Sequence, residues 1–173
     1  MNDEQMVQRA IRGDDEAFLN LIHMYKIDLY KTALSYLHNE EDALEAIQEV
    51  TYRAYKSIKT IREGSYFKTW LIRIMINYCN DQLKKNKRVV LGDEIMSAQG
   101  ICESHEEMEL KDAMLSLDER SREILTLKYF HDLKIKEIAS TMQCPEGTVK
   151  TWLNKALKSL RGKLEEKGGN LHV

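Results

Sequence analysis

The stretch from Ile135 to Arg161 constrains the fold more than any other part of the sequence. It reads IKEIASTMQCPEGTVKTWLNKALKSLR, which is a short amphipathic segment, a tight break and a longer segment with a basic side. The only proline, Pro145, stands where the second helix should begin, because its missing N–H costs nothing there and its fixed φ favours a helix. After it, apolar residues repeat at helical spacing: Val149, Leu153, Ala156, Leu157, Leu160 and Leu164. This pattern predicts a helix-turn-helix, a motif that places its second helix in the major groove of DNA.

Helical patterns cover most of the remaining sequence, in which the alternation typical of strands is short and glycine and proline are scarce. We expect Gly13 to end a first short helix and Asp14 to cap the next, which runs towards Leu37. Asn39 precedes a third helix, EEDALEAIQEVTYRAYKSI, and forms with Asp42 the pattern of a capping box. The buried stripe of this third helix is expected to consist of Ala43, Ile47, Val50, Ala54 and Ile58.

The domain boundaries follow from where this periodicity weakens. A loop from Lys59 to Ser65 is expected before a fourth helix, YFKTWLIRIMINYCNDQLKK, which Ser65 would cap. From Val89 to about His105 periodicity is weak and Lys and Arg are absent, which predicts a flexible acidic linker. Two helices follow, EEMELKDAMLSL and DERSREILTLKYFHD, and the second offers for burial Ile124, Leu125, Leu127 and Tyr129. The prediction is an all-α chain of two small helical domains, 1–88 and 108–167, joined by the linker 89–107 and followed by a tail, 168–173.

The sequence lacks the patterns of several other protein classes. Cys79, Cys102 and Cys144 are odd in number and form no CxxC, and no HExxH is present, so neither a disulfide framework nor a metal site is expected. No arrangement of a nucleophile with a base and no glycine-rich phosphate loop occurs, so we expect no enzyme activity and no cofactor. No apolar run approaches the roughly 18 residues of a membrane span, and the first residues are polar and acidic. We therefore expect no membrane insertion and a cytoplasmic location.

Charge is segregated along the chain, although the net charge is only −2. The predicted helix after Pro145 is basic, and Lys84, Lys85, Lys87 and Arg88 form a second basic cluster. Because the field near a surface is set by charges within a Debye length of roughly 10 Å, such clusters can attract phosphate in a chain of negative net charge.

Four blocks of this sequence, in order, resemble the extracytoplasmic-function (ECF) sigma factors, the minimal two-domain sigma subunits of bacterial RNA polymerase. They are EDALEAIQEVTYRAY, FKTWLIRIMINYCNDQL, LSLDERSREILTLKYF and CPEGTVKTWLNKALKSLR, and the resemblance covers about Gln5 to Lys163. The first two are similar to sigma region 2 and the last two to sigma region 4. The chain departs from the family pattern at Leu44, Glu45 and Ala46, and also at Trp152 and Leu157, which stand where many members have arginine.

The resemblance implies that the last helix reads the −35 promoter element. Lys150 and Lys155 are suited to phosphates or guanine acceptors, Asn154 to adenine, and the helix start to a phosphate. The expected DNA-binding residues of region 4 are Glu146, Gly147, Thr148, Lys150, Thr151, Asn154, Lys155 and Lys158. For Trp152, packing against the neighbouring helix is an equal alternative.

The resemblance also implies that the loop Lys59–Ser65 and the following helix capture an unstacked base of the −10 element, since opened strands are held by stacking and base contacts. The expected residues are Thr60, Ile61, Arg62, Ser65, Tyr66, Lys68, Arg73, Lys84, Lys85 and Arg88. The neighbouring aromatic residues are also candidates, but aromatic residues at this spacing are more often part of the core: Phe67 and Trp70.

The partners follow from the same resemblance. The third helix is expected to dock on the clamp helices of the largest subunit of core RNA polymerase through Glu41, Asp42, Glu45, Gln48, Glu49 and Arg53. Promoter DNA and an anti-sigma factor are the other expected partners. Two alternatives stay open from the residues alone: a stand-alone helix-turn-helix regulator, and an adaptor protein that does not contact DNA.

Overall fold

The structure, a computed structural model, describes residues 2–90 and 104–167, and within them all regular elements are helical. The chain divides into two compact units, Met1–Ala98 and Gln99–Val173. The helices of the first unit are α1 (Asp3–Ile11), α2 (Asp15–Leu37), α3 (Glu40–Ser57) and α4 (Phe67–Val90). Those of the second are α5 (His105–Leu115), α6 (Glu119–Leu125), α7 (Ile135–Met142) and α8 (Glu146–Lys167). The all-α prediction is confirmed.

The breaks between α1 and α2 and between α2 and α3 lie where the sequence predicts them. Gly13 has a φ of +98°, which a residue without Cβ adopts readily, and it separates α1 from α2. Asp14 then accepts a hydrogen bond from the backbone N–H of Ala17 at 3.0 Å. Asn39 accepts one from the N–H of Asp42 at 2.9 Å, which is its half of the predicted capping box.

In the first unit α2 packs against α1, α3 and α4. The core is built from fully buried side chains of α2 and α4 together with the predicted stripe of α3, whose five members are all buried. Cys79 lies in this core, where burial raises the pKa of its thiol to about 12. The core therefore fixes which face of each helix remains available for partners.

In the second unit α8 packs against α5, α6 and α7. Val149, Leu153 and Ala156 on α8 are buried, as are Ile138 on α7 and Ile124 on α6. The predicted apolar stripe is thus the packing face of α8, although its outer members are only half-buried: Leu157, Leu160 and Leu164.

Two details of the sequence prediction are wrong, those on Ser65 and Tyr129, and a third is refined. Ser65 does not cap α4, because it lies inside a 3₁₀ turn, Gly64–Tyr66, and α4 begins at Phe67. The predicted helix over DERSREILTLKYFHD is α6 followed by a π-helical turn, Thr126–Phe130. Tyr129 is not buried but 60% exposed, because it lies two residues after Leu127 and so on nearly the opposite side of the helix from that buried residue.

The two ends of the predicted linker are helical, since α4 continues to Val90 and α5 begins at His105. The rest of the linker, 91–103, and the tail, 168–173, lie outside the described residues, as does Cys102.

Candidate nucleic-acid and protein interfaces

The turn between α7 and α8 sets the direction of α8. Gln143 ends α7 in the left-handed conformation, with a φ of +54°, and the N–H of Cys144 donates to the carbonyl of Ala139 at 3.0 Å. Pro145 precedes α8, and its carbonyl accepts from the N–H of Thr148 at 3.0 Å. Both ends of the turn are thus satisfied by the backbone, and α8 leaves it with its apolar face on α6 and α7.

The outer face of α8 carries the predicted recognition residues. The side chains of Lys150, Asn154 and Lys158 are exposed, and at 100° per residue they fall within an arc of about 80°. No salt bridge within the described part of the chain engages these two lysines. The arc combines an amide, which pairs well with adenine, and cations, which suit guanine or phosphate.

The remaining predicted residues of α8 lie around this arc. Glu146, Gly147 and Thr151 are exposed and Thr148 is half-buried. The hydroxyl of Thr151 donates to the carbonyl of Gly147 at 3.0 Å, so its proton is used within the helix. A Cβ at Gly147 would have no atom within 4 Å, which leaves the first turn of α8 open to a ligand.

Trp152 contacts the neighbouring helix, which is one of the two alternatives that the sequence left open. The guanidinium of Arg120 on α6 lies 4.2 Å from the centroid of its ring, and the ring is half-buried. Asp118, the residue that caps α6, has a pKa below its ordinary value because the Ser121 hydroxyl donates to it, and the charge of Lys155 adds to this effect. Lys155 therefore also lies on the α6 side, away from the arc of Lys150 and Lys158.

The predicted base-capturing loop consists of two 3₁₀ turns, Ile58–Thr60 and Gly64–Tyr66. Arg62 and Ser65 are exposed, and Ile61 and Tyr66 are half-buried. The hydroxyl of Thr60 donates to the carbonyl of Ser57 at 2.7 Å. The loop thus presents the guanidinium of Arg62 between the two turns and the hydroxyl of Ser65 within the second.

Of the two aromatic residues beside the loop, Phe67 belongs to the core and Trp70 lies at its edge. Phe67 is 2% exposed and packs between Tyr25, at a centroid distance of 5.8 Å, and Trp70, at 5.6 Å. Burial raises the pKa of Tyr25 to about 12. The negative charge of Asp3, whose carboxylate accepts a hydrogen bond from the Tyr25 hydroxyl, adds to the rise. Tyr25 and Trp70 are both half-buried, so each keeps part of its ring accessible.

The predicted −10 residues beyond the loop do not form one cluster. Lys68 makes a salt bridge to Asp28 on α2 at 3.1 Å. Arg73, Lys84 and Arg88 fall within about 60° of one another around α4. Lys85 points to another side, where it lines a groove with residues of α3.

This groove, of about 510 Å³, lies between α3 and α4 and contains predicted polymerase-binding residues. Arg53 spans it: its Nε donates to Glu49 at 2.8 Å, and its guanidinium lies 5.1 Å from the ring centroid of Tyr78. Burial raises the pKa of Tyr78, and the nearby charges of Glu45 and Glu49 raise it further. The other predicted members of this face are all exposed: Glu41, Asp42, Glu45 and Gln48.

Sequence reasoning missed three apolar or aromatic residues on the same exposed side of α3. Leu44, Tyr52 and Tyr55 are 52%, 56% and 50% exposed. The signal was present, because all three stand outside the buried stripe that begins at Ala43. Exposed apolar groups beside charges are typical of a surface that contacts another protein. Of the three, Tyr55 is held in place by donating a hydrogen bond to Asp15 at 2.9 Å.

In the two described segments, no helix has the length and apolar content needed to cross a bilayer. The same residues contain no group of His, Cys, Asp or Glu side chains that would hold a metal ion.

Similar sequences match both units. Residues 21–89 match the family Sigma-70 region 2, and residues 107–160 match the family Sigma-70, region 4. The chain is 35% identical over 140 residues to RNA polymerase sigma factor SigV of Bacillus subtilis, covering 79% of this chain and 84% of the relative. It is 26% identical to the ECF RNA polymerase sigma factor SigW of the same organism, covering 94% and 99% of the two chains.

Among solved structures, a similar fold is found in CnrH, solved in complex with the cytosolic domain of CnrY. The match has a TM-score of 0.68 and 20% identity, and it covers 95% of this chain and 97% of CnrH.

Proposed function

We propose roles for the individual surfaces on one premise: this chain belongs to the sigma-70 family of RNA polymerase sigma factors, in its extracytoplasmic-function group. As such it directs core RNA polymerase to specific promoters and promotes DNA opening for transcription initiation. Its partners are core RNA polymerase and promoter DNA. The proposals below concern which residues make these contacts.

Our first proposal concerns which function each of the two units performs. Residues 1–88 act as region 2, which binds core polymerase and recognises and melts the −10 element. Residues 108–167 act as region 4, which recognises the −35 element, and 89–107 connects them. The family matches at 21–89 and 107–160 support this assignment.

The −35 element is read by the exposed arc of α8. Lys150, Asn154 and Lys158 contact base edges or phosphates, and the open first turn at Glu146–Thr148 approaches a phosphate. The observation that carries this assignment is the division of α8 into a buried apolar face and an exposed face of lysines and an amide. Thr151, which lies beside this arc, and Lys155, which lies further round α8 on the α6 side, are kept as additional contacts.

The −10 element is bound by the loop and by α4. Thr60, Ile61, Arg62, Ser65 and Tyr66 surround a base that has left the stack, and Lys68 lies at the end of the loop. The stripe of Arg73, Lys84 and Arg88 follows the phosphates of the same strand. Lys85 is the weakest member of this set, because it shares a groove with carboxylates of α3.

Core polymerase is bound through α3. Glu41, Asp42, Glu45, Gln48, Glu49 and Arg53 provide a polar, mainly acidic face for the clamp helices of the largest subunit. Leu44 and Tyr52 add apolar contact area within this face, which suits an interface with a desolvated centre and a charged rim.

Regulation by an anti-sigma factor is proposed by analogy. The sigma factor RpoE from Bartonella quintana, whose fold is similar, was solved in complex with the anti-sigma factor NepR. A partner that covers the α3 face or the α8 arc would block the contacts proposed above. Because the polymerase supplies the chemistry, we propose no catalysis and no cofactor for this chain. We place the chain in the cytoplasm.

The test is transcription in vitro with purified core polymerase and the full-length chain, with start sites mapped across genomic DNA. We expect the chain to co-purify with core polymerase, to bind free duplex DNA weakly and to start transcription at sites sharing two elements. A stand-alone regulator would instead bind duplex DNA tightly without polymerase. Failure to join core polymerase would contradict the proposed function.

A further inference from the structure

We propose that Arg53 is a positioning residue that couples the polymerase-binding face of α3 to the DNA-binding stripe of α4. Its guanidinium lies between two carboxylates, Glu49 on α3 and Asp81 on α4, and polymerase that binds Glu49 leaves the guanidinium to Asp81. The inference deepens the proposed function and rests on it, because it requires α3 to bind polymerase and α4 to bind the −10 strand. It assigns to Asp81, which the sequence did not implicate, a role in the strength of DNA binding.

The guanidinium of Arg53 is shared unequally between its two acceptors. Its Nε donates to Oε1 of Glu49, one turn earlier on α3, at 2.8 Å. Its Nη1 lies 4.0 Å from Oδ2 of Asp81, which is beyond hydrogen-bond range. No other salt bridge in the described part of the chain engages Asp81. In the chain without polymerase the charge of Glu49 is therefore compensated more fully than that of Asp81.

The ring of Tyr78 provides a surface over which the guanidinium can move. Tyr78 is only 5% exposed, and its ring centroid lies 5.1 Å from the guanidinium carbon of Arg53. A contact between a cation and an aromatic face does not fix the direction of the N–H groups. The Arg53 side chain is also 42% exposed and borders a groove of about 510 Å³, so it has space to move. A displacement of about 1 Å towards α4 brings Asp81 within hydrogen-bond range.

Asp81 stands within the stripe of α4 that is proposed to follow the DNA phosphates. At 100° per residue it lies about 20° from Arg88 and about 60° from Lys84 around the helix, and its side chain is 55% exposed. A carboxylate at this position repels phosphate unless a cation compensates it. Polymerase that occupies Glu49 releases Arg53 towards Asp81 and thereby weakens this repulsion. Because coupling is reciprocal, DNA bound to α4 also strengthens the binding of polymerase.

The first experiment measures DNA binding by the full-length chain without polymerase, at about 50 mM salt, where phosphate contacts are strong. A fluorescein-labelled single strand carrying the mapped −10 sequence is titrated onto the wild type, Glu49→Ala and Asp81→Asn. We expect both variants to bind about fivefold more tightly, since one releases Arg53 and the other removes the repelling charge. The combined variant should gain no more than Asp81→Asn alone, because both changes act on the same repulsion. Glu40→Ala, which removes an exposed carboxylate of α3 outside the groove, is the matched control and should bind like the wild type.

The second experiment repeats the titration with holoenzyme assembled at saturating core polymerase. The wild type and Asp81→Asn should now bind equally, since Arg53 already compensates Asp81. Arg53→Ala should bind about fivefold more weakly, and the double variant Arg53→Ala/Asp81→Asn should recover wild-type affinity because the uncompensated charge is gone. A residue that only stabilised the packing of α3 would not be rescued by a change at Asp81.

The possible outcomes are distinct. Equal gains by Asp81→Asn in the free chain and in holoenzyme would overturn the inference, because the charge would then act independently of polymerase. Unaltered binding by either free variant, equal gains by Glu49→Ala and Glu40→Ala, or no rescue of Arg53→Ala would overturn it as well. Failure of the wild-type holoenzyme to bind the strand would instead count against the proposed function. Loss of the fold cannot imitate the expected result, because an unfolded variant neither binds more tightly nor is rescued.

Discussion

Asp118 shows how one side chain can fix the entrance to a helix next to the DNA-reading element. Its carboxylate accepts from the N–H of Ser121 at 3.0 Å and from the hydroxyl of the same residue at 2.6 Å. Because these bonds favour the charged form, the pKa of Asp118 lies below its ordinary value. Charge and hydrogen bonding at this residue therefore contribute directly to the stability of α6.

We expect Asp118→Ala to lower the free energy of unfolding of the second unit by about 1 kcal/mol, the usual cost of losing a cap, and Asp118→Asn to lower it by less, since an amide oxygen still caps. The measurement is urea unfolding followed by the fluorescence of Trp152 in a Trp70→Phe background. Equal losses in the Ala and Asn variants would contradict the capping role.

The pH dependence of this effect has a definite sign. A lowered pKa in the folded state means that the contribution of Asp118 is complete above the ordinary pKa of about 3.9. It is lost as the pH falls below that value and through the lower folded pKa. The stability difference between wild type and Asp118→Ala should therefore be constant near neutrality and shrink only in acid. A difference that grew on acidification would show that the sign is wrong.

At the scale of elements, α8 is attached to α6 by the contact between Arg120 and Trp152. We expect a double-mutant cycle with Arg120→Ala and Trp152→Leu, followed by far-UV circular dichroism, to give a coupling of about 0.5–1 kcal/mol, as for exposed cation–π pairs. Neither variant should change which −35 sequences are preferred. Altered base preference in Trp152→Leu would contradict its assignment to packing.

A charge reversal tests α3 as the polymerase-binding element. We expect Glu45→Lys to weaken binding to core polymerase at least about tenfold, because a rim charge that complements the partner becomes repulsive. Glu16→Lys, an equal reversal on the exposed part of α2, is the matched control and should bind normally. Holoenzyme affinity is measured by competition for labelled core polymerase. Equal effects of the two reversals would argue against a specific role for α3.

At the scale of the whole molecule, two compact units on one chain are proposed to contact two promoter elements. If polymerase fixes the distance between these contacts, a change of two base pairs in promoter spacing displaces one element by about 7 Å and rotates it by about 70°. We expect transcription from such promoters to fall at least about tenfold, measured with unaltered −10 and −35 sequences. Transcription that is insensitive to spacing would show that the two contacts are not made together.

Much of this organisation was predictable from the sequence because it rests on local chemistry. Gly13, Asp14 and Asn39 mark helix ends by properties of single residues, and the stripe from Ala43 to Ile58 repeats at the helical period. The exposed arc of Lys150, Asn154 and Lys158 follows from the same period once the apolar face of α8 is known. These features depend on neighbours within a few residues along the chain.

Other features were not predictable because they depend on how elements meet. They include the π-helical turn Thr126–Phe130, the 3₁₀ turn that contains Ser65 and the groove that Lys85 shares with residues of α3. Gly64 in the loop lies against Val7 on α1, and these two residues are far apart in the sequence. The residue spacing within either segment does not predict this contact.

The sequence by itself determined that the chain is helical, where most helices begin and end, and which family it resembles, because these depend on residue type and spacing. The tertiary structure alone decided which residues at the border of each buried helix face remain exposed. It also decided that Trp152 and Lys155 lie towards α6 and that α1 adjoins the base-capturing loop. The physical reason is that burial is a property of two surfaces in contact, and the second surface comes from a distant part of the chain.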